Sequence, residues 1–185
     1  MKRLDPASVD LPTLASLAGG AASEHLLEAL RGAGHPDVRA SHGYVFQLLI
    51  DGPKAIGELS SLLGVTQQAA SKVALELESL GYVARQAATN DSRVKRVALT
   101  PKGKAVIEEA RAARTQLEAR VRAKVGARAA ADARLVLLTL LELTGQFEAV
   151  AARRVKPPPA DRDSLGSPGA SAARQRRRPR AERRR

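Results

Sequence analysis

The sequence predicts a mainly α-helical fold carrying one small β-hairpin, an α+β arrangement in which helices supply most of the core. Three observations predict it. Apolar residues recur at three- and four-residue spacing along most of the chain. One stretch, between Tyr82 and Leu99, changes to strand-like runs around a polar break. Glycine or proline stands at nearly every change of pattern. With 44% hydrophobic residues in 185, but only two Phe, two Tyr and no Trp, the core has to be built from Leu, Val, Ile and Ala.

Residues 1–12 read as a disordered start, with Pro6 and Pro12 bracketing a polar stretch. From Thr13 to Arg31, Leu14, Leu17, Ala21, Leu26, Leu27 and Leu30 mark a first helix. A kink is expected at Gly19-Gly20 and a stop at Gly32, Gly34 and Pro36. Ser41 is the expected N-cap of a second helix bearing Val45, Phe46, Leu48, Leu49 and Ile50. Asp51-Gly52-Pro53 is a turn. A third helix, Ala55 to Leu63, puts Ile56, Leu59, Leu62 and Leu63 on one face and ends at Gly64, a residue suited to a left-handed C-terminal position. Thr66 caps a fourth helix reaching about Leu80, with Val73, Leu77 and Leu80 as its apolar seam and Gly81 closing it.

Tyr82–Gln86 and Val94–Leu99 then read as two strands joined by the polar loop Ala87–Arg93. Thr100-Pro101 opens a fifth helix, since proline is tolerated in a first turn. That helix carries Val106, Ala110, Ala113, Leu117, Val121 and Val125 at helical spacing. A break at Gly126 precedes a sixth helix running to about Ala152, apolar over much of its surface from Leu135 to Val150. A helix that apolar at the end of a small domain calls for a partner. The reading adopted is a dimer interface formed with the first helix and part of the fifth.

The formal net charge is +12, and its distribution matters. Residues 156–185 hold ten basic and three acidic residues, leaving 21 basic against 16 acidic before them. The folded part is moderately basic, and a Pro-, Ser-, Gly- and Arg-rich tail from 153 to 185, expected to be disordered, carries most of the excess. Such a balance favours a polyanionic partner, nucleic acid ahead of a membrane surface. The longest apolar stretch, Leu135 to Leu141, is far short of the ~20 residues of a spanning helix. Asp5, Pro6, Asp10 and Pro12 interrupt any export signal after Lys2 and Arg3. The expected setting is cytoplasmic and nucleoid-associated, with no membrane partner.

Several function classes drop out. The absence of cysteine excludes a disulfide framework, a thiolate zinc site, a catalytic thiol and a thiol redox sensor. There is no Gly-rich phosphate loop, no HExxH and no nucleophile elbow, and Ser41 beside His42 is adjacency, not a triad. His25, His35 and His42 have no metal-ligand spacing. The chain is therefore not expected to be an enzyme, nor to hold a metal or cofactor.

Three short helices followed by a two-stranded hairpin is the order of a winged helix-turn-helix, with Gly64-Val65-Thr66 as its tight turn. Leu59, Leu63, Val65, Val73 and Leu77 would hold the third and fourth helices at a fixed angle. The first turns of the fourth helix would then expose Gln67, Gln68, Ala69, Ala70, Ser71 and Lys72. Gln pairs with adenine edges, Ser with a base or phosphate, Lys with guanine or phosphate, and small Ala allows close approach to the groove floor. The helix N-terminus itself favours phosphate. In the hairpin Arg93 and Lys95 flank the tip, with Arg85 and Arg96 nearby. An arginine there suits the narrow, electronegative minor groove. Asp91 would orient the Arg93 guanidinium by a charge-assisted bond. The candidate DNA-binding set is Thr66, Gln67, Gln68, Ser71, Lys72, Asp91, Arg93 and Lys95.

Two runs carry a family resemblance. Gly64-Val65-Thr66-Gln67-Gln68-Ala69-Ala70-Ser71-Lys72, followed by Leu77-Glu78-Ser79-Leu80-Gly81-Tyr82-Val83, resembles the recognition helix and first wing strand of MarR-type regulators. Asp91-Ser92-Arg93, with Leu99-Thr100-Pro101-Lys102-Gly103 after it, resembles that family's Asp-x-Arg wing element and the Leu-Thr-x-x-Gly entry to its long dimerisation helix. Thr89-Asn90 stands where the family often has a proline, and the Arg-rich tail is not part of its pattern.

The resemblance implies N- and C-terminal dimerisation helices around the winged unit. The chain would divide into a dimerisation helix and connection at 13–40, the DNA-binding domain at 41–103 and dimerisation helices at 104–152. It implies a homodimer on double-stranded DNA, with recognition helices in successive major grooves and wings at flanking minor grooves. The operator would be pseudo-palindromic, with half-site centres about one helical turn apart. A repressor is the leading expectation. Many members release DNA on binding small aromatic or phenolic compounds, so a small-molecule effector is also implied, with His42, Tyr44 and Phe46 as candidate lining residues. Two other readings remain open: an architectural nucleoid-type DNA-binding protein, and a winged-helix protein–protein interaction module.

Overall fold

The structure, a computed structural model, describes residues 5–88 and 91–152, with the side chains of residues 87–94 outside the description. The predicted tail 153–185 and the Thr89-Asn90 tip lie outside the described residues. The described chain forms two compact units, one from Ser41 to Lys102, the other from the segments before Ser41 and from Gly103 onward.

The unit Ser41–Lys102 is built on three helices, α2 (Ala40–Leu49), α3 (Ile56–Leu63) and α4 (Gln67–Ser79), and three strands, β1 (Lys54–Ala55), β2 (Val83–Ala88) and β3 (Asp91–Leu99). Its core is the aliphatic one the composition requires. Val45, Leu59, Leu63, Val73, Leu77, Val83 and Val97 are almost wholly buried, with Phe46 and Tyr82 edge-to-face at 5.8 Å between ring centroids. Burying Leu59 and Leu63 from α3 and Val73 and Leu77 from α4 fixes the pair of helices, as their spacing predicts.

The sheet has order β1-β3-β2 and is antiparallel throughout, with Lys54 opposite Val97 and Val83 opposite Leu99. Two expectations are corrected here. The hairpin gains a third strand, β1, whose two residues are too few to show any alternation. The predicted loop Ala87–Arg93 is mostly strand, since pairing continues through a register shift between Ala87 and Ala88 to Ala88 opposite Asp91. Backbone N–H and C=O groups pair whatever the side chains, so a polar stretch can extend a ladder without an apolar pattern.

Ser41 is also not the N-cap of α2. The helix already includes Ala40, and Ser41 sits buried in its first turn, where its Oγ finds no hydrogen-bond partner among the described residues. Packing of the first turn overrides the local preference of serine for a cap position.

The second unit holds the remaining helices: α1 (Leu11–Gly32), α5 (Pro101–Val125, from Gly103 on), α6 (Ala127–Leu143) and α7 (Phe147–Ala151). A disordered start was expected through residue 12; residues 1–4 lie outside the described residues, and from there on Asp5 caps a 3₁₀ turn at Pro6–Ser8 and Asp10 caps α1, its Oδ1 accepting the Thr13 N–H at 2.9 Å. α1 passes through Gly19-Gly20 as one helix. The long predicted sixth helix is divided. Gly145 takes a left-handed φ of 67°, and the Gln146 N–H returns to the Leu141 carbonyl at 2.8 Å, closing α6 before α7 begins. Gly126, at φ 85°, separates α5 from α6 as predicted, and Arg134 reaches back across that turn to Glu118 at 2.6 Å.

This unit buries less. Leu30, Val38, Val106, Ile107 and Ala110 are covered, and His35 Nε2 lies 2.8 Å from Glu109 Oε2 on α5. A largely apolar groove of about 740 Å³ runs among α1, α5 and α6, lined by residues including Leu26, Leu117, Val121 and Leu137. Among the described residues no helix is long and apolar enough to cross a membrane.

Candidate nucleic-acid interface

Local chemistry positions α4. Gly64 follows α3 with φ 67° and ψ 35°, a conformation that costs other residues steric strain. Its N–H and that of Val65 return to the last turn of α3, Val65 to Ser60 O at 3.1 Å. Thr66 is extended, and its Oγ1 accepts the Ala69 N–H at 3.2 Å. The turn thus ends one helix and caps the next within three residues. Thr66, a predicted DNA contact, is first of all the cap that shapes the site.

Beyond the cap, Gln67, Gln68 and Lys72 are exposed and Ser71 is half-buried. Gln67 Nε2 lies over the first turn of α3, 3.7 Å from where a side chain on Gly57 would begin. Ala70 is a correction: it is fully buried, on the core face with Val73, Ala74 and Leu77. The predicted run of six exposed residues is therefore a stripe of Gln67, Gln68, Ser71 and Lys72, with Ala69 half-buried beside it.

The carboxylates of α4 are turned to other work. Glu76 Oε1 stands 3.8 Å from Nε2 of the fully buried His42 on α2. Glu78 Oε1 accepts the Arg85 backbone N–H at 3.2 Å, and its Oε2 lies 3.4 Å from Arg85 Nε. On α3, Glu58 accepts the Ala55 N–H at 2.7 Å. None of these three was singled out in the sequence. Their partners are seven or more residues away or on another element, apart from the local Glu58 cap.

The wing is anchored at its base. Thr100 Oγ1 donates toward the Gly81 and Tyr82 carbonyls, at 2.7 and 3.1 Å. Lys102 Nζ donates to Leu80 O at 2.8 Å and sits 4.5 Å from the centroid of the buried Tyr82 ring, a cation–π distance. The Leu99–Lys102 run is thus a latch between the end of α4 and the root of the hairpin. Arg96 spans the sheet, its Nη1 donating to Pro53 O at 3.1 Å. Lys95 is exposed on β3. Asp91 and Arg93 belong to β3, but their side chains lie outside the described residues.

The three candidate effector residues have different settings. His42 and Phe46 are buried in the core of the unit, 6.5 Å apart edge-to-face, and His42 also faces Glu76. Tyr44 is half-buried. Among the described residues, no group of three or more His, Asp or Glu is placed to hold a metal ion.

No family model matches the chain, and no curated protein matches it in sequence. Solved structures do match. The Mycobacterium tuberculosis MarR family protein Rv2887, in complex with salicylic acid, is 27% identical over 72% of this chain and 97% of its own, with a TM-score of 0.52. Reduced MarR from E. coli is 24% identical over 72% of this chain and 97% of its own, with a TM-score of 0.59. A MepR mutant from S. aureus bound to an oligodeoxyribonucleotide is 15% identical over 74% of this chain and 99% of its own, with a TM-score of 0.55. Helix order, the capped turn before α4, the latched hairpin and these likenesses agree: the chain has the winged-helix fold seen in MarR-type regulators.

Proposed function

We propose that the chain is a transcriptional regulator that binds double-stranded DNA in a sequence-specific way, without enzymatic activity. One observation carries the reading. α4 turns Gln67, Gln68, Ser71 and Lys72 outward from a fixed, capped start, while Glu76 and Glu78 on the same helix are drawn toward His42 and Arg85. A helix so arranged offers donors and a cation to base edges and phosphates and keeps its own negative charge engaged elsewhere. Arg93 and Lys95 on β3 would add contacts from the wing, with Asp91 orienting Arg93.

The functional species in this reading is a homodimer that represses transcription at a pseudo-palindromic operator. The apolar surface of α6 and the groove among α1, α5 and α6 support a second copy as the partner. The likeness to a protein solved with salicylic acid supports a small aromatic acid as effector class. Localisation with the nucleoid follows from the DNA-binding reading and rests on it.

The test is a double variant, Lys72→Ala with Arg93→Ala, in the full chain. Operator binding falls by at least a hundredfold, while sedimentation shows an unchanged oligomer. Binding retained within about threefold would contradict the site. Binding lost together with the oligomer would show that the variant reports on assembly.

A further inference from the structure

Within the unit Ser41–Lys102, the large apolar side chains whose exposure is described are buried or partly buried, with one exception. Leu75 on α4 is 52% exposed. The other large apolar side chains left exposed stand on α1, α5, α6 and α7, where they belong to the broad apolar surface of the second unit. Leu75 has no such neighbourhood.

Its place on the helix gives it a context. At 100° per residue, Leu75 lies two turns beyond Gln68 on the same face, one turn beyond Ser71 and Lys72. Ala70, Val73, Ala74 and Leu77 fill the opposite face and are buried. The adjacent Glu76 is directed at His42, and Glu78 at Arg85. Leu75 therefore continues the polar stripe assigned to DNA at its C-terminal end, as an apolar group one turn beyond the Ser71 hydroxyl and the Lys72 ammonium.

We propose that Leu75 is a specificity-determining residue that reads the C5-methyl group of a thymine in the major groove. The proposal rests on the DNA-binding reading above. An isobutyl side chain has no donor or acceptor for a base edge or a phosphate, and the thymine methyl is the apolar group that unmodified base pairs present in that groove. The axial rise from Gln68 to Leu75 is about 10.5 Å, which projects onto the duplex axis as at most about three base-pair steps. The thymine accordingly stands within about three base pairs of the base that Gln68 contacts, once in each half-site.

The experiment starts by selecting duplexes from a random pool with the full-length chain. Each thymine of one half-site is then replaced in turn by uracil, which removes only the methyl group. Wild type, Leu75→Ala and Leu75→Gln are titrated against the set. Burying one methyl is worth about fourfold in affinity. Wild type loses about that factor at one thymine, Leu75→Ala and Leu75→Gln are indifferent there, and all three respond alike elsewhere. A uracil scan identical for wild type and both variants overturns the assignment of Leu75 and leaves DNA binding standing. A selection that enriches no sequence overturns the DNA-binding reading and the proposal with it.

Discussion

Between Ser41 and Lys102 the aliphatic side chains close on one another, and Leu75 is the single large one left outside among those described. On α6 the opposite holds: Leu135, Val136, Leu137, Leu138 and Leu143 range from 39% to 82% exposed. Both regions draw on the same residue types, so composition does not explain the difference. In the first, helices of 8 to 13 residues and a small sheet surround one centre. In the second, three helices of 17 to 25 residues present long sides that their own unit does not cover. Apolar surface left in water forgoes about 25 cal/mol per Å², and a contiguous stripe of this kind marks an interaction surface. A closed unit that offers a polar helix face and an open unit that offers an apolar one suit different partners. In the proposed function these are DNA and a second copy.

The contrast can be broken first at the closed core. Leu59→Ala or Leu77→Ala removes a side chain with no exposed surface and is expected to cost about 2–5 kcal/mol of stability, read by denaturant unfolding of the full chain. A loss below about 1 kcal/mol would mean that this core is not close-packed. The open unit is sharpened by Leu137→Asp on the groove wall. A carboxylate placed in an apolar contact weakens self-association at least about tenfold, seen by sedimentation as a shift to monomer with helix content retained. An unchanged mass would remove α6 from the proposed interface.

A smaller effect is expected at the turn. Thr66→Ala loses the acceptor for the Ala69 N–H and costs about 1 kcal/mol, whereas Thr66→Ser keeps the cap. Because the cap orients the start of α4, DNA affinity falls with it, and thermal melting with parallel binding titrations separates the two effects. The smallest concerns α1. Accepting the Thr13 backbone N–H, and then its hydroxyl, holds the Asp10 carboxyl below its ordinary value of 3.8. A lowered folded-state pKa means this cap contributes fully above that value and is lost as the pH falls below it. Fraying at the start of α1 should therefore appear only under acid conditions, by amide exchange of the first turn, and Asp10→Asn, which keeps an acceptor but does not titrate, should remove that pH dependence.

Much of the winged unit was legible because several local signals agree within a few residues. Gly64, Thr66 and Gly81 each stand where one element must stop or start, and the structure uses them so. The parts that escaped depend on distant partners. β1 exists only by pairing with β3 some forty residues later, and Ser41 looks like a cap until its burial is known. Gly145 does carry a stop signal, but the apolar residues on both sides hid it. At the interface, the exposure of Gln67, Gln68 and Lys72 followed from the seam through Val73 and Leu77. The core position of Ala70 and the exposure of Leu75 follow from the same helical phase. The engagement of Glu76 by His42 and of Glu78 by Arg85 had no local signal at all.

The central claim is that the polar face of α4 reads a defined DNA sequence. It is tested most directly by footprinting the full-length chain on a selected duplex, with excess competitor DNA at near-physiological salt. The account predicts a bounded, two-fold symmetric patch with half-site centres about one helical turn apart, and at least about a thousandfold preference over nonspecific DNA. Diffuse protection that competitor removes would contradict it and favour an architectural protein instead.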